Sequence, residues 1–280
     1  MMRSMYAAIS GLKVHQTMLD VTSNDIANVN TLGYKSQRTT FKESLSQLQR
    51  GAAAPNAAQG GSNAIQVGLG VQLGSIDNNM QTGALQTTGN PLDVALQSDG
   101  SWFRVGTANP AAGAGSIANV QYTRAGNFTR NEQGYLITQD GQYVLGRSAA
   151  GTGGADQLIQ IPSGSTNVSI AQDGSVSYDP ASGGARVTAG YLSLATFANE
   201  AGLQRVSSNR WSSSSSSGPE TVGTPGGNYA LVAPGQTEMS NVDLAQEFTN
   251  MISAQRGFQA NSRVISTADQ MLQDLVNLSR

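Results

Sequence analysis

Apolar residues near the start of the chain recur at alternating steps of four and three. Met5, Ile9, Leu12, Gln16, Leu19, Ser23 and Ile26 form one heptad seam and predict a first helix. The final segment keeps the same alternation through Leu244, Phe248, Met251, Gln255, Phe258, Ser262, Ile265, Asp269, Leu272 and Val276. Ser240, followed three residues later by Asp243, resembles a helix cap, so the last helix is expected to start near Asn241 and run almost to Arg280. At 1.5 Å per residue it would span roughly 55–60 Å. Both seams carry polar residues, which weaken a simple two-helix coil but fix register. Neither helix has a second helix beside it in sequence, so both are expected to find partners elsewhere.

Between the ends the period changes. From about Val67 to Tyr229, short β-like runs such as "PLDVALQ", "SWFRVG", "QYVLG" and "VTAGYLSLATF" alternate with Gly, Asn and Asp. Asp99-Gly100, Asp140-Gly141 and Asp173-Gly174 are candidate hairpin turns, and recurring Asp-Gly here means turns rather than calcium repeats because the nonapeptide period is lacking. "RGAAAPNAAQGGSNA" (Arg50 to Ala64) and "SSSSSSGPETVGTPGG" (Ser212 to Gly227) bracket this region as linkers or surface loops. The pattern predicts an α+β chain: long terminal helices forming a coiled-coil-like domain around a central all-β domain.

Composition narrows the chemistry. Charged residues are 12% of the 280 and the net charge is −2, without a Lys/Arg block, so nucleic acid is excluded as a partner. The absence of cysteine removes disulfides, thiol nucleophiles and zinc–thiolate sites. His15, the one histidine, lies inside the first helical pattern and is expected to pack rather than to act as base or ligand. No nucleophile elbow or phosphate loop occurs, and "GLGVQLG" misses the dinucleotide spacing. Trp102 and Phe103 are expected in the core. No catalytic residue, metal, cofactor or small-molecule substrate is assigned, and an enzyme is not expected. The N-terminus has no charged-then-apolar export layout, and no run approaches the roughly 20 apolar residues of a membrane span.

The stretch "ISGLKVHQTMLDVTSNDIANVNTLGYKSQRTTF" (Ile9 to Phe41) closely resembles the N-terminal signature of bacterial flagellar rod and hook proteins. Asn24, Asp25, Ile26, Ala27, Asn28, Thr31, Gly33, Tyr34 and Lys35 stand on its pattern. "EMSNVDLAQEFTNMISAQRGFQANSRVISTADQMLQDLVNL" (Glu238 to Leu278) is similar to the family's partner helix, and "TGNPLDVALQSDGSWFRV" resembles its β-domain. Ser101-Trp102-Phe103 departs from the two aromatics usual directly after the glycine.

The resemblance implies a non-enzymatic subunit of a helical homopolymer around a narrow export channel. Residues 1–44 and 238–280 would form the inner-tube polymerisation domain, with a joint loop at 28–41. Residues 45–66 would be a linker, 67–229 the β-rich outer domain and 212–237 a flexible return linker. Asn28 and Asn30 would stop the first helix, Gly33 would permit positive φ, and Asn, Thr and Lys35 would offer hydrogen bonds to adjacent subunits. Implied partners are further copies of the chain, adjacent rod, hook-cap and hook–filament junction proteins, and the flagellar type III export apparatus. The segments from Met1 to Val21 and from Val67 to Leu96 look most like short hook proteins, so the expected role is the extracellular hook, a universal joint. The alternative is the distal basal-body rod, a drive shaft in the cell envelope; a secreted β-rich adhesin is a distant third.

Overall fold

A computed structural model describes residues 2–52, 54, 60–108, 117–151 and 153–278. It is α+β, with one helix at each end and strands between. Part of the expected linker, residues 53 and 55–59, lies outside the described residues. The chain forms two units: residues 1–27, 37–78 and 243–280 make the first, and 28–36 with 79–242 the second.

In the first unit, helix α1 (Met2–Ala27) packs against helix α2 (Leu244–Leu278). Their pairing is antiparallel: Gly11 meets Asn261, and His15 meets Gly257. The seams therefore have a partner within the chain, contrary to the expectation from sequence neighbours alone. The face of α1 that is most buried carries Ala8, Gly11, Val14, Thr22 and Asp25. That stripe is displaced by about one residue from the predicted seam; Met5, Ile9, Leu12, Leu19 and Ile26 are half-buried at its border, while Gln16 and Ser23 are exposed. On α2 the half-buried Met251, Phe258, Ile265 and Leu272 share a stripe with the buried Ala254 and Ala268. Leu244, Phe248, Gln255, Ser262 and Val276 are exposed. Small residues mark the contact because they let two backbones approach, and a search for large apolar residues overlooks them.

Two hairpin-like ladders complete this unit. Gln37–Glu43 pairs with Val71–Asn78, with an irregularity at Thr40/Phe41, and Ser46–Arg50 pairs with Ile65–Gly68. Strand thus runs through part of the span 45–66 expected as linker. Every residue of the Ser46–Arg50 and Ile65–Gly68 strands is exposed, Leu48 and Val67 included. Gly70, at φ +119°, lies close to α1, and the Val71 amide donates to Ser10 Oγ at 3.2 Å.

The second unit is built on a 13-stranded sheet whose pairings are all antiparallel among the described residues. Its centre is the strand Ser101–Ala108, flanked by Ile117–Thr123 and Tyr143–Arg147. Adjacent residues on a strand face opposite sides, so Trp102 and Phe103 seed two separate cores. Phe103 packs edge-on to Phe128, at 5.3 Å between centroids, in a cluster with Val94, Leu96, Leu136 and Ile159. Trp102 packs edge-on to Trp211 at 5.7 Å, beside Tyr122, Phe197 and Leu203. The departure at Ser101-Trp102-Phe103 is thereby accommodated.

Asp140-Gly141 and Asp173-Gly174 do turn hairpins, with Gly141 and Gly174 at positive φ. Asp99-Gly100 instead joins two strands that pair with other partners. The serine-rich stretch after Arg210 is tied down rather than loose. Ser217 is fully buried, with its hydroxyl donating to Ser214 O and accepting from the Ser214 amide, and Glu220 pairs with Arg104 at 3.0 Å. Serine hydroxyls can satisfy the backbone locally, so low complexity here is compatible with order.

Candidate functional site

The signature residues divide between the two units. Asn24 and Ala27 sit in the last turn of α1, and beside them Asp25, fully buried, accepts a hydrogen bond from the Gln37 amide at 2.9 Å. Asn28, Thr31, Gly33, Tyr34 and Lys35 belong to the sheet unit. Within that unit the segment 28–36 meets two further passages of chain, 79–84 and 236–241.

The turn is local at first. The Thr31 amide donates to Asn28 O at 3.1 Å, Thr31 Oγ1 donates to Asn28 Oδ1 at 3.1 Å, and the Tyr34 amide donates to Thr31 O at 3.3 Å. Gly33 then takes φ +64° and donates its amide to Glu238 O at 2.8 Å. A Cβ on Gly33 would stand 2.6 Å from Ala125 N and 2.8 Å from Arg124 C, so both conformation and space demand glycine. Tyr34 is buried with the Arg205 guanidinium 4.7 Å from its ring centroid, and Arg205 also donates to Lys35 O at 2.6 Å. Asn209 donates from Nδ2 to Leu32 O at 3.0 Å.

Lys35 is the centre of the site. Its ammonium, fully buried, donates to Glu238 Oε1 at 2.6 Å and to Gln81 O at 2.7 Å. Glu238 also receives the Gly83 amide on Oε1 at 3.1 Å and the Arg124 guanidinium on Oε2 at 3.4 Å. One buried carboxylate therefore serves two buried cations. Burial pushes the Lys35 ammonium below the usual lysine range; Glu238 pulls it back up, and Arg124 adds to the lowering. Arg124 further donates to Ser98 O at 3.2 Å and lies 5.1 Å from the Trp102 ring centroid, while its Nε and Nη2 find no acceptor among the described residues.

Asn241 closes the third side. Its Oδ1 accepts the Ser36 amide at 2.7 Å, and its Nδ2 donates to Asn79 O at 2.8 Å and to Gln81 O at 3.0 Å. One side chain so bridges all three passages, and the Asn79 amide adds a bond to Ser36 O at 2.8 Å. The arrangement is a clasp, and among the described residues no group of three or more His, Asp or Glu stands together to hold a metal ion. Lys35, expected to reach adjacent subunits, is consumed inside the chain. Asn28, Asn30 and Thr31 instead line a polar cleft of about 570 Å³ with Asn127, Asp140 and Arg210.

The helix-cap pair also resolves. Asp243 caps α2, its Oδ1 accepting the amides of Ala245 at 2.9 Å and Gln246 at 3.3 Å, so the helix starts at Leu244. Ser240 serves locally, accepting the Val242 amide on Oγ at 3.4 Å. Sequence reasoning missed Glu238 and Arg124. A lysine in a signature followed by an interior chain path needs a counter-charge, and Glu238 at the head of the C-terminal motif is the available signal; Arg124 gives none.

Three family models match: "Flagella basal body rod protein" over residues 5–35, "Flagellar hook protein FlgE/F/G D1 domain" over 102–178 and "Flagellar basal body rod FlgEFG protein C-terminal" over 233–278. The chain is similar to the flagellar basal-body rod protein FlgG of Bacillus subtilis, with 45% identity over 282 aligned positions covering 100% of each chain. It is 37% identical to the Agrobacterium fabrum protein of the same name, covering 96% of this chain and 97% of the relative. A flagellar hook protein, FlgE of Borreliella burgdorferi, is 28% identical, in an alignment stretched to 440 positions that covers 99% of this chain and 100% of the relative. These findings overturn the expectation of a hook protein. The segments that suggested a hook lie where rod and hook relatives both align; identity over the whole length separates them and favours the rod.

Proposed function

We propose that this chain, which belongs to the flagellar rod and hook protein family, is a subunit of the distal basal-body rod. The observation that carries the reading is the 45% identity to a rod protein over the full length of both chains. Copies of the chain polymerise helically around the export channel, with the terminal helices as a coiled-coil inner tube and the sheet unit outside. The polymer lies in the cell envelope, joins rod and hook neighbours, and receives its subunits through the flagellar type III apparatus. Its role is mechanical rather than catalytic.

The clasp of Lys35, Glu238, Arg124 and Asn241 supports a drive shaft in physical terms. Buried ionic and amide contacts that tie three passages of chain together resist local opening. Asn28, Asn30 and Thr31 line the polar cleft, where a neighbouring copy would meet them.

Electron microscopy of basal bodies from cells lacking the gene tests the reading. Rods that stop short of their normal length are expected, with recovery on supplying the intact chain. Full-length rods in those cells would refute it.

A further inference from the structure

The α1–α2 contact contains two reciprocal insertions. Asn261 of α2 fits against Gly11 of α1, where an added Cβ would stand 2.7 Å from Asn261 Nδ2. His15 of α1 fits against Gly257 of α2, where a Cβ would stand 2.5 Å from both Cε1 and Nε2 of the imidazole. Each helix thus contributes one large polar knob and one glycine hole, four residues apart, in opposite order. Phe41 closes on the His15 ring edge-on at 6.0 Å. Of the other buried residues on the two helices, which also include Val14, Thr22 and Asp25, the alanines Ala8, Ala254 and Ala268 are small and alike, and specify no particular register. A glycine inside a helix is less favourable than an alanine, so two of them facing two knobs call for an explanation.

We infer that His15 and Asn261 determine the register of the terminal helices and thereby select an α2 of this chain's own sequence as the partner of α1. A slip of one heptad in one direction sets His15 against Val264 and Asn261 against Met18. A slip in the other direction sets His15 against Asn250 and leaves Gly11 against Ala254. Neither shifted register offers a glycine to both knobs, whereas the observed one does. A polar residue in an otherwise apolar seam is an established means of fixing register. Selection is useful because rod and hook relatives both align with nearly the whole of this chain. A helix of similar apolar spacing that lacks the matching glycine and knob would find no such fit, and the knob-and-hole pairs discriminate where the alanines do not. The inference rests on the helix pair itself and does not depend on the rod reading.

The chain has no cysteine, so engineered pairs report register without background. In the purified full-length protein, Met18→Cys with Ala254→Cys samples the observed register. Met18→Cys with Glu247→Cys samples one slip, and Ala8→Cys with Met271→Cys the other. The observed-register pair is expected to oxidise at least about tenfold faster than either slipped pair, and His15→Ala with Asn261→Ala to erase most of that preference. Exchanging knob and hole, by His15→Gly with Gly257→His, should restore it, which a generic loss of packing would not. An unchanged preference in the double alanine variant would overturn the inference. So would loss of all cross-links together, or an exchange variant that stays slipped.

Discussion

Glu238 neutralises two cations that have no other carboxylate within ion-pair distance among the described residues, which makes the three residues of the cluster unequal. Glu238→Gln leaves Lys35 and Arg124 buried together without a counter-charge, and should cost about 3–5 kcal/mol in the sheet unit. Lys35→Met removes a desolvated cation and leaves a one-to-one pair of Glu238 with Arg124, so its cost should stay below about 2 kcal/mol. Urea unfolding followed by tryptophan emission reads both, because Trp102 and Trp211 are the only tryptophans and both are buried in that unit. Equal losses would contradict the sharing. The lowered Lys35 value also carries a sign. Between its folded value and the free value of 10.5 the folded chain binds fewer protons at this group than the unfolded chain, so its contribution to stability grows as pH rises through that window. Comparing wild type with Lys35→Met from neutral pH upward should show this rise only in wild type. Gly33→Val combines a positive φ with a backbone clash and should cost the same unit about 3 kcal/mol or more.

At the scale of elements, α2 begins where Asp243 accepts two amides, and Asp243→Ala should cost about 0.5–2 kcal/mol, visible as faster amide exchange in the first turn of the helix. Both helices and the β-rich centre were legible in the sequence because each writes a period of its own, near 3.5 or 2, over many residues. The face on which the helices meet was not. Alanine and glycine contribute little to an apolar pattern, yet Ala8, Gly11, Ala254 and Gly257 are where the backbones approach. Within the clasp, Gly33 was legible as a residue needing positive φ, since few residues tolerate that conformation. The partner of Lys35 was not, because ion pairing over long separations leaves no local trace. The serine-rich stretch misled for the opposite reason: its composition suits a solvated linker, while its hydroxyls close on their own backbone.

For the whole molecule, the sheet unit is discontinuous in sequence, and its last strands come after the sheet is otherwise complete. Val232–Pro234 pairs with Val94–Leu96, and Gln236–Glu238 pairs with Leu85–Thr87. A chain ending at Pro234 keeps all 13 strands of the large sheet but loses Glu238 and Asn241. It should unfold at distinctly lower urea than the intact chain, with the loss approaching that of Glu238→Gln; unchanged stability would show that the clasp is dispensable. Lys35 and Glu238 lie 203 positions apart, so the contact closes a very long loop, and contacts of that kind form late and slowly. A chain that emerges as a thread from its first residue onward therefore cannot fasten itself until almost all of it has arrived. Until Glu238 arrives, Lys35 has no counter-charge among the described residues, and the clasp stays open.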